Sequence, residues 1–508
     1  MNDRFNVLFI IAPDIGKRYG CYGNEVIKTP VIDRLAADSI KFNNHFCHFP
    51  LCGPSRANIF SGLRPLRTGR FTNDPFFPDF RRATGFSTLP ELFKNNGYYT
   101  FGAGLVFHDI DDPISWSEDF WRPKLPEGVP EDMTVHNENS PNPWVNPDSF
   151  ALIRERIENL KRLGYTDEQI FTRDGIRKVK GPPVEAGDVD DDVYFDGQTT
   201  GRVIEFLRSF KRGGKPFFLA VGYTAGHLPW NSPRKYWELY RREELTLPWN
   251  DRAPSNTEAW AMGDSEPAQY YTQHGYEKPW IANREQSLEL MHGYYAAISY
   301  VDAMVGRLID TLKALGLYDS TLILLTSDHG FHTAEHGYWG KHNLWDASLR
   351  VPLIVKLPKG LLSKAPRAEQ DTRSTGEINW FTEHVDIYPT LCDICGIPIP
   401  TYVEGKSMAG LLGVAKSRSG GMDWSKEAVF AHRRHQWHDR IKAYDIAHTV
   451  RTSRYRYTMY LDKRGGVIAE ELFDYQEDPG ELENRVFRES YRGIKKELRE
   501  RFDFLNEI

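Results

Sequence analysis

Cys52-Gly53-Pro54-Ser55-Arg56 puts a thiol, a proline and an arginine within about one turn of an expected helix start. Proline suits the first turn of a helix, where backbone N–H groups have no intrahelical partner. A thiol there, with an arginine one turn on, sits in a positive field that favours anions. Taken alone, Cys52 is as well explained by burial, because cysteine is among the residues most often found in cores. Other residues shift that balance. Asp14, His108, His227, Asp328, His329 and Lys341 each stand shortly after a short apolar run. Asp14 and Asp328 offer hard oxygens suited to Ca2+ or Mg2+. Arg56, His108, His227 and Lys341 offer positive charge and proton transfer around a multiply oxygenated anion. Each alone has an ordinary structural explanation, as a cap or a satisfied turn residue. Together, a hard cation and basic groups around one cysteine make a site for hydrolysing a sulfate or phosphate ester.

The elements that must position these residues can be read from periodicity. Apolar runs at 7–11, 98–101, 216–221, 321–325 and 351–355 have the look of buried parallel strands. Helical patterns at 31–39, 89–95, 199–211 and 288–315 separate them, and 57–63 continues from the cysteine motif. Strands alternating with helices predict an α/β fold, a large mostly parallel sheet sandwiched by helices. Ligands in such sheets bind at the carboxyl ends of strands, where the candidate residues stand. Residues 109–196 and 250–279 read as insertions that shape a site. After about residue 412 the texture changes to short strands at 428–431, 448–452, 454–460 and 471–475 and a helix at 491–504. The expected division is a catalytic domain, 1–412, and a C-terminal α+β subdomain with an antiparallel sheet, 413–508.

Composition excludes several classes. A net charge of −6 over 508 residues argues against a general nucleic-acid binder. No run approaches the length of a membrane span. Met1-Asn2-Asp3-Arg4 leads straight into a strand, so a cytoplasmic protein is expected, or a periplasmic or secreted one if a leader has been removed. Five scattered cysteines make no disulfide framework, and Cys392 and Cys395 are better read as helix packing than as a zinc pair.

The cysteine motif, followed by Ser61-Gly62-Leu63-Arg64-Pro65, resembles the signature of type I sulfatases of the alkaline phosphatase superfamily. The resemblance extends through Gly20-Cys21-Tyr22-Gly23, Thr326-Ser327-Asp328-His329-Gly330, Glu335-His336-Gly337-Tyr338-Trp339 and the 472–480 run. Val106-Phe107-His108-Asp109 and Tyr295-Ala296-Ala297-Ile298-Ser299-Tyr300 are similar to the iduronate-2-sulfatase-like branch. The resemblance implies that a maturation enzyme converts Cys52 to formylglycine, whose hydrate attacks the sulfur of a small sulfate ester. It implies Asp14, Cys52, Asp328 and His329 as ligands of Ca2+, with Mg2+ an alternative. Arg56 would steady the nucleophile, His227 and Lys341 would assist the departing oxygen, and His108 would help release sulfate. Two positions depart from the family pattern: Pro13 stands where a second aspartate is usual, and Leu105 where a lysine is. They keep two alternatives open, a phosphonate or phosphate ester hydrolase of the superfamily and a non-catalytic binding protein of the same fold. Substrate-shaping residues are expected in the insertions and near His432-Arg433-Arg434-His435.

Overall fold

The computed structural model describes residues 4–73, 85–108, 111–138, 140–171, 179–210, 214–262, 265–271, 282–359, 361, 376–414, 424–434 and 443–503. Asp109, His435 and the ends of the helices expected at 199–211 and 491–504 lie outside these residues, as do parts of both insertions.

Strand β1, Asn6–Ile11, is buried along its whole length. Its side chains alternate between two cores, as the period of a strand demands. Val7, Phe9 and Ile11 enter the core that holds Ile59, Phe60, Leu89 and Phe93. Leu8 and Ile10 enter the one that holds Val203, Leu207, Leu290 and Val301. The remaining strands of the sheet are β2 (Ile40–Phe46), β3 (Tyr99–Gly104), β4 (Phe217–Gly222), β5 (Thr321–Thr326), β6 (Arg350–Lys356) and β7 (Glu377–Glu383). Their order is β7-β2-β6-β5-β1-β4-β3. β1 pairs in parallel with β4 and β5, and β3 in parallel with β4.

One strand corrects the sequence reading. β6, expected to be parallel, runs antiparallel to both β5 and β2. A parallel return needs a crossover, usually a helix packed on the sheet. The chain between Thr326 and Arg350 instead forms a two-residue hairpin pair, His332–Thr333 against Trp339–Gly340, and single helical turns. It stays at the strand ends and enters the next strand from there. β2 and β7 escaped the reading because Lys41, Asn43, Asn44, Glu377 and Asn379 interrupt their apolar pattern.

Helices cover both faces: α1 (Pro30–Ala37), α2 (Cys52–Ser61), α3 (Leu89–Asn95), α4 (Phe195–Ser209), α5 (Arg284–Ala314) and α6 (Ile387–Ile394). α5 begins at a capping box, with Asn283 accepting from the Gln286 N–H. The 109–196 insertion is more regular than its composition foretold, because it carries a sixteen-residue helix, Pro147–Arg162. The C-terminal sheet is antiparallel, with strands Ala428–Arg434, Ile446–Thr452, Tyr455–Leu461 and Val467–Asp474 in that order. No described helix is long and apolar enough to cross a membrane.

Candidate active site

Cys52 is the first residue of α2 and only 2% exposed. The Gly53 N–H donates to Asn73 Oδ1 at 2.8 Å, which satisfies one of the open donors of this helix end. The helix stops at Gly62, whose φ of 69° is the left-handed conformation glycine adopts most easily. Four more residues meet Cys52 from the ends of β1 and β5 and from α2 itself. Cys52 Sγ lies 3.2 Å from His329 Nε2. His329 Nδ1 lies 3.2 Å from Asp14 Oδ1, and its Nε2 lies 3.8 Å from Asp328 Oδ1. Arg56 Nε donates to Asp328 Oδ2 at 2.9 Å, with both side chains fully buried. Asp14, at φ 57°, turns back so that its own N–H donates to Asp328 Oδ1 at 3.1 Å. Aspartate tolerates this left-handed backbone better than most residues.

The turn after β3 is bound to the same cluster through backbone. Arg56 Nη1 donates to the carbonyls of Leu105 and Val106. A Cβ on Gly104 would stand 2.1 Å from the Gly222 carbonyl oxygen, so only glycine lets this turn lie against β4. Leu105 therefore serves the site by its carbonyl, where the family pattern would place a lysine side chain. His108 follows on this turn, its carbonyl accepting from Arg122 at 3.2 Å. At the other departure, the Pro13 carbonyl packs against Gly226, where a Cβ would come within 2.0 Å.

Gly226 belongs to the loop after β4 that carries His227. His227 Nδ1 donates to the Leu228 carbonyl at 2.6 Å, which turns Nε2 toward Asp14 Oδ2, 3.7 Å away. Two residues that sequence reasoning missed hold this loop. Asn142 Nδ2 reaches the carbonyls of Thr224, His227 and Pro229 at 2.7–3.0 Å. Asp196 accepts from the Thr224 N–H and hydroxyl and from the Ala225 N–H at 2.8–2.9 Å. Lys341 completes the cluster. Its Nζ donates to both Asp14 oxygens at 3.1 and 2.9 Å and lies 3.7 Å from Cys52 Sγ. Glu266, from the second insertion, approaches Lys341 Nζ to 3.8 Å and was also missed. Only its place in an insertion flagged as site-shaping pointed to it.

The structure thus brings Asp14, Cys52, Arg56, His227, Asp328, His329 and Lys341 together by side-chain contacts. Asp14, Cys52 and His329 each offer one ligand atom, and these atoms lie within 4.8 Å of one another, all buried. A carboxylate, an imidazole and the Cys52 side chain make a donor set that suits a divalent cation, with the Asp328 carboxylate beside them. Among the described residues the buried Nη2 of Arg56 has no hydrogen-bond partner, a donor available to an oxyanion.

Charge orders the cluster. Burial alone would lower the Lys341 ammonium pKa, but Asp14, Cys52 and Glu266 raise it well above the usual lysine value. Burial would raise the Asp328 carboxyl; His329, Arg56 and Lys341 overcome this and hold it well below the carboxylate range. Burial, then Lys341, pushes His227 down to about 4, with Asp14 opposing. Burial raises the Cys52 thiol well above its ordinary value, so the unmodified side chain is a poor nucleophile. Burial also pushes Glu266 up to about 7, although Lys341 opposes it. Of the basic residues flagged in the C-terminal part, His432 pairs Nδ1 to Nδ1 with His448 at 2.7 Å, and Arg434 pairs with Asp445. Arg433 is buried and donates to the Ala261 carbonyl at 3.2 Å.

Comparison with known proteins places this cluster in a family. The chain matches the family described as Sulfatase over residues 5–397, and the one described as N-sulphoglucosamine sulphohydrolase, C-terminal, over residues 334–507. It is 28% identical to iduronate 2-sulfatase of Mus musculus, over 97% of this chain and 92% of that protein. It is 31% identical to iduronate 2-sulfatase of Homo sapiens, over 78% of this chain and 70% of that protein. A structure solved with its substrate D-glucosamine-2-N,6-O-disulfate superimposes with a TM-score of 0.71 at 20% identity, covering 99% of this chain and 98% of the other. The phosphonate monoester hydrolase of Agrobacterium radiobacter gives the same score at 23% identity, covering 99% and 96%; at such identities the likeness is one of fold. The chain belongs to the sulfatase family, in the branch that resembles the iduronate 2-sulfatases.

Proposed function

We propose that this enzyme hydrolyses the sulfate ester of a sulfated sugar or similar small molecule, using a formylglycine made from Cys52 and a divalent cation, Ca2+ or Mg2+. The observation that carries the reading is the convergence on Cys52 of Asp14, Asp328, His329, Arg56 and Lys341 in one buried cluster. The family membership supports it. Asp14, Asp328, His329 and the residue-52 side chain would hold the cation, which supplies a Lewis acid for the sulfate oxygens. Formylglycine supplies, as its hydrate, a nucleophile with a second hydroxyl able to expel sulfate, which the inert buried thiol does not.

The chain's own groups divide the remaining work. Arg56, fixed by Asp328, offers Nη2 to an oxygen of the bound anion. Lys341 carries its charge throughout the neutral range and steadies the oxygen of the departing alcohol. His227 is neutral at rest. An arriving sulfate monoester anion opposes burial and Lys341, raises His227, and readies Nε2 to protonate that oxygen. His108, carried on the turn bound by Arg56, assists the release of sulfate.

Two measurements test the reading. Mass spectrometry of the peptide containing residue 52, from protein made with a maturation enzyme, should show the aldehyde in place of the thiol. The modified protein should cleave aryl sulfates in preference to aryl phosphonates; the reverse preference would make it a phosphonate hydrolase, as its second structural neighbour is.

A further inference from the structure

Lys341 and a cation compete for the same atoms. Lys341 Nζ donates to both oxygens of Asp14, and one of those oxygens belongs to the set that Asp14, Cys52 and His329 offer to a metal. An ammonium and a divalent cation repel strongly in a buried site, where little water screens them. Cation binding would therefore move Lys341 off the Asp14 oxygen that the cation takes. A buried ammonium left without a counter-charge is costly, so it needs another seat within reach.

Glu266 has the properties of that seat. Its Oε2 lies 3.8 Å from Lys341 Nζ, beyond hydrogen-bond range. Among the described residues its buried Oε1 has no hydrogen-bond partner, with His342 Nε2 3.5 Å away. The Glu266 backbone is also fixed relative to that of Lys341. The Glu266 N–H donates to the Trp339 carbonyl at 2.9 Å, and Ser265 Oγ donates to the same oxygen at 3.1 Å. Trp339 lies two residues before Lys341, so both ends of the gap hang from one short strand.

We propose that Glu266 is the second seat of Lys341: when a divalent cation takes Asp14, the ammonium moves roughly 1 Å to a hydrogen bond with Glu266. This inference rests on the cation reading above and adds a positioning residue to it. Glu266 holds Lys341 away from the metal. It does so without touching substrate.

The test is calorimetric titration of CaCl2 and MgCl2 into protein carrying unmodified Cys52, so that formylglycine plays no part. Glu266→Gln should weaken cation binding about tenfold, and Glu266→Asp by less. Lys341→Met should bind the cation more tightly than wild type, and adding Glu266→Gln to it should change nothing further. Thermal unfolding in EDTA checks that each variant is folded. Equal weakening by Glu266→Gln with and without Lys341 overturns the proposal, because the carboxylate would then act only through its field. Lys341→Met binding no more tightly than wild type overturns it independently of any Glu266 variant. Wild-type protein that binds neither cation overturns the cation reading too, whereas wild type that binds and variants that bind equally overturn this inference alone.

Discussion

The candidate site has two walls built on different terms. Asp14, Cys52, Arg56, Asp328 and His329 form the inner wall, at most 2% exposed and mounted on strand ends and the first turn of α2. His227 and Glu266 form the outer wall, on loops, with side chains 22% and 13% exposed, and Lys341, 3% exposed, joins the two walls through Asp14. Inner residues hold one another directly, as in the Arg56–Asp328 pair. Outer residues are held by third parties: Asn142 and Asp196 for His227, and the Trp339 carbonyl for Glu266. Stability and chemistry therefore coincide in the Arg56–Asp328 pair of the inner wall, whereas the outer wall is positioned by residues outside the cluster.

Substitutions test this contrast. The largest effect on turnover is expected from Cys52→Ala, which should abolish sulfatase activity while leaving the melting temperature close to wild type, since a small buried side chain is replaced by a smaller one. Asp328→Asn should damage both properties. It leaves Arg56 buried without its counter-charge, at a cost of about 3–5 kcal/mol in urea unfolding, and it removes a proposed cation ligand. A stable, inactive Asp328→Asn protein would show that the inner wall is not structural.

Asn142→Ala tests the outer wall from a distance. Three carbonyls of the His227 loop lose a side-chain donor, Thr224 and Pro229 keeping the His227 and Asn231 N–H groups, which should cost about 1–3 kcal/mol and lower kcat more than it raises KM. Lost stability with unchanged kcat would mean that the loop does not position His227. The smallest effect concerns pH. Burial raises the Asp196 carboxyl to about 6 despite its three hydrogen bonds. The folded state then binds more protons than the unfolded one between pH about 4 and this value, so the Asp196 contribution falls as pH rises through that window. Asp196→Asn does not titrate and should remove that fall from stability measured by urea unfolding across the pH range.

The inner wall was legible in the sequence because it is written in short motifs. Cys52 and Arg56 share one helical turn, and Asp328 and His329 are adjacent, so local order fixed their relation. His227 and Lys341 were found by the resemblance and by their places after strands; their distances to Asp14 were not readable. Asn142, Asp196 and Glu266 left no local signal, because each acts across a separation of 28 residues or more. The alternation of strands and helices was legible, and the C-terminal antiparallel sheet too. The direction of β6 was not, since an apolar run carries no sign of which way it pairs.

The burial of Cys52 also sets an order of events in time. With 2% of its surface exposed, the residue lies out of reach of any other protein once α2 has packed against the strand ends. On the function proposed above, a maturation enzyme would have to find the cysteine motif in an extended or partly folded chain. Conversion and folding then run as a race, and a chain that folds first is sealed with an inert thiol. Stabilising variants that speed closure around α2 should lower the converted fraction even as they raise the melting temperature, so the best-folded preparation need not be the most active one.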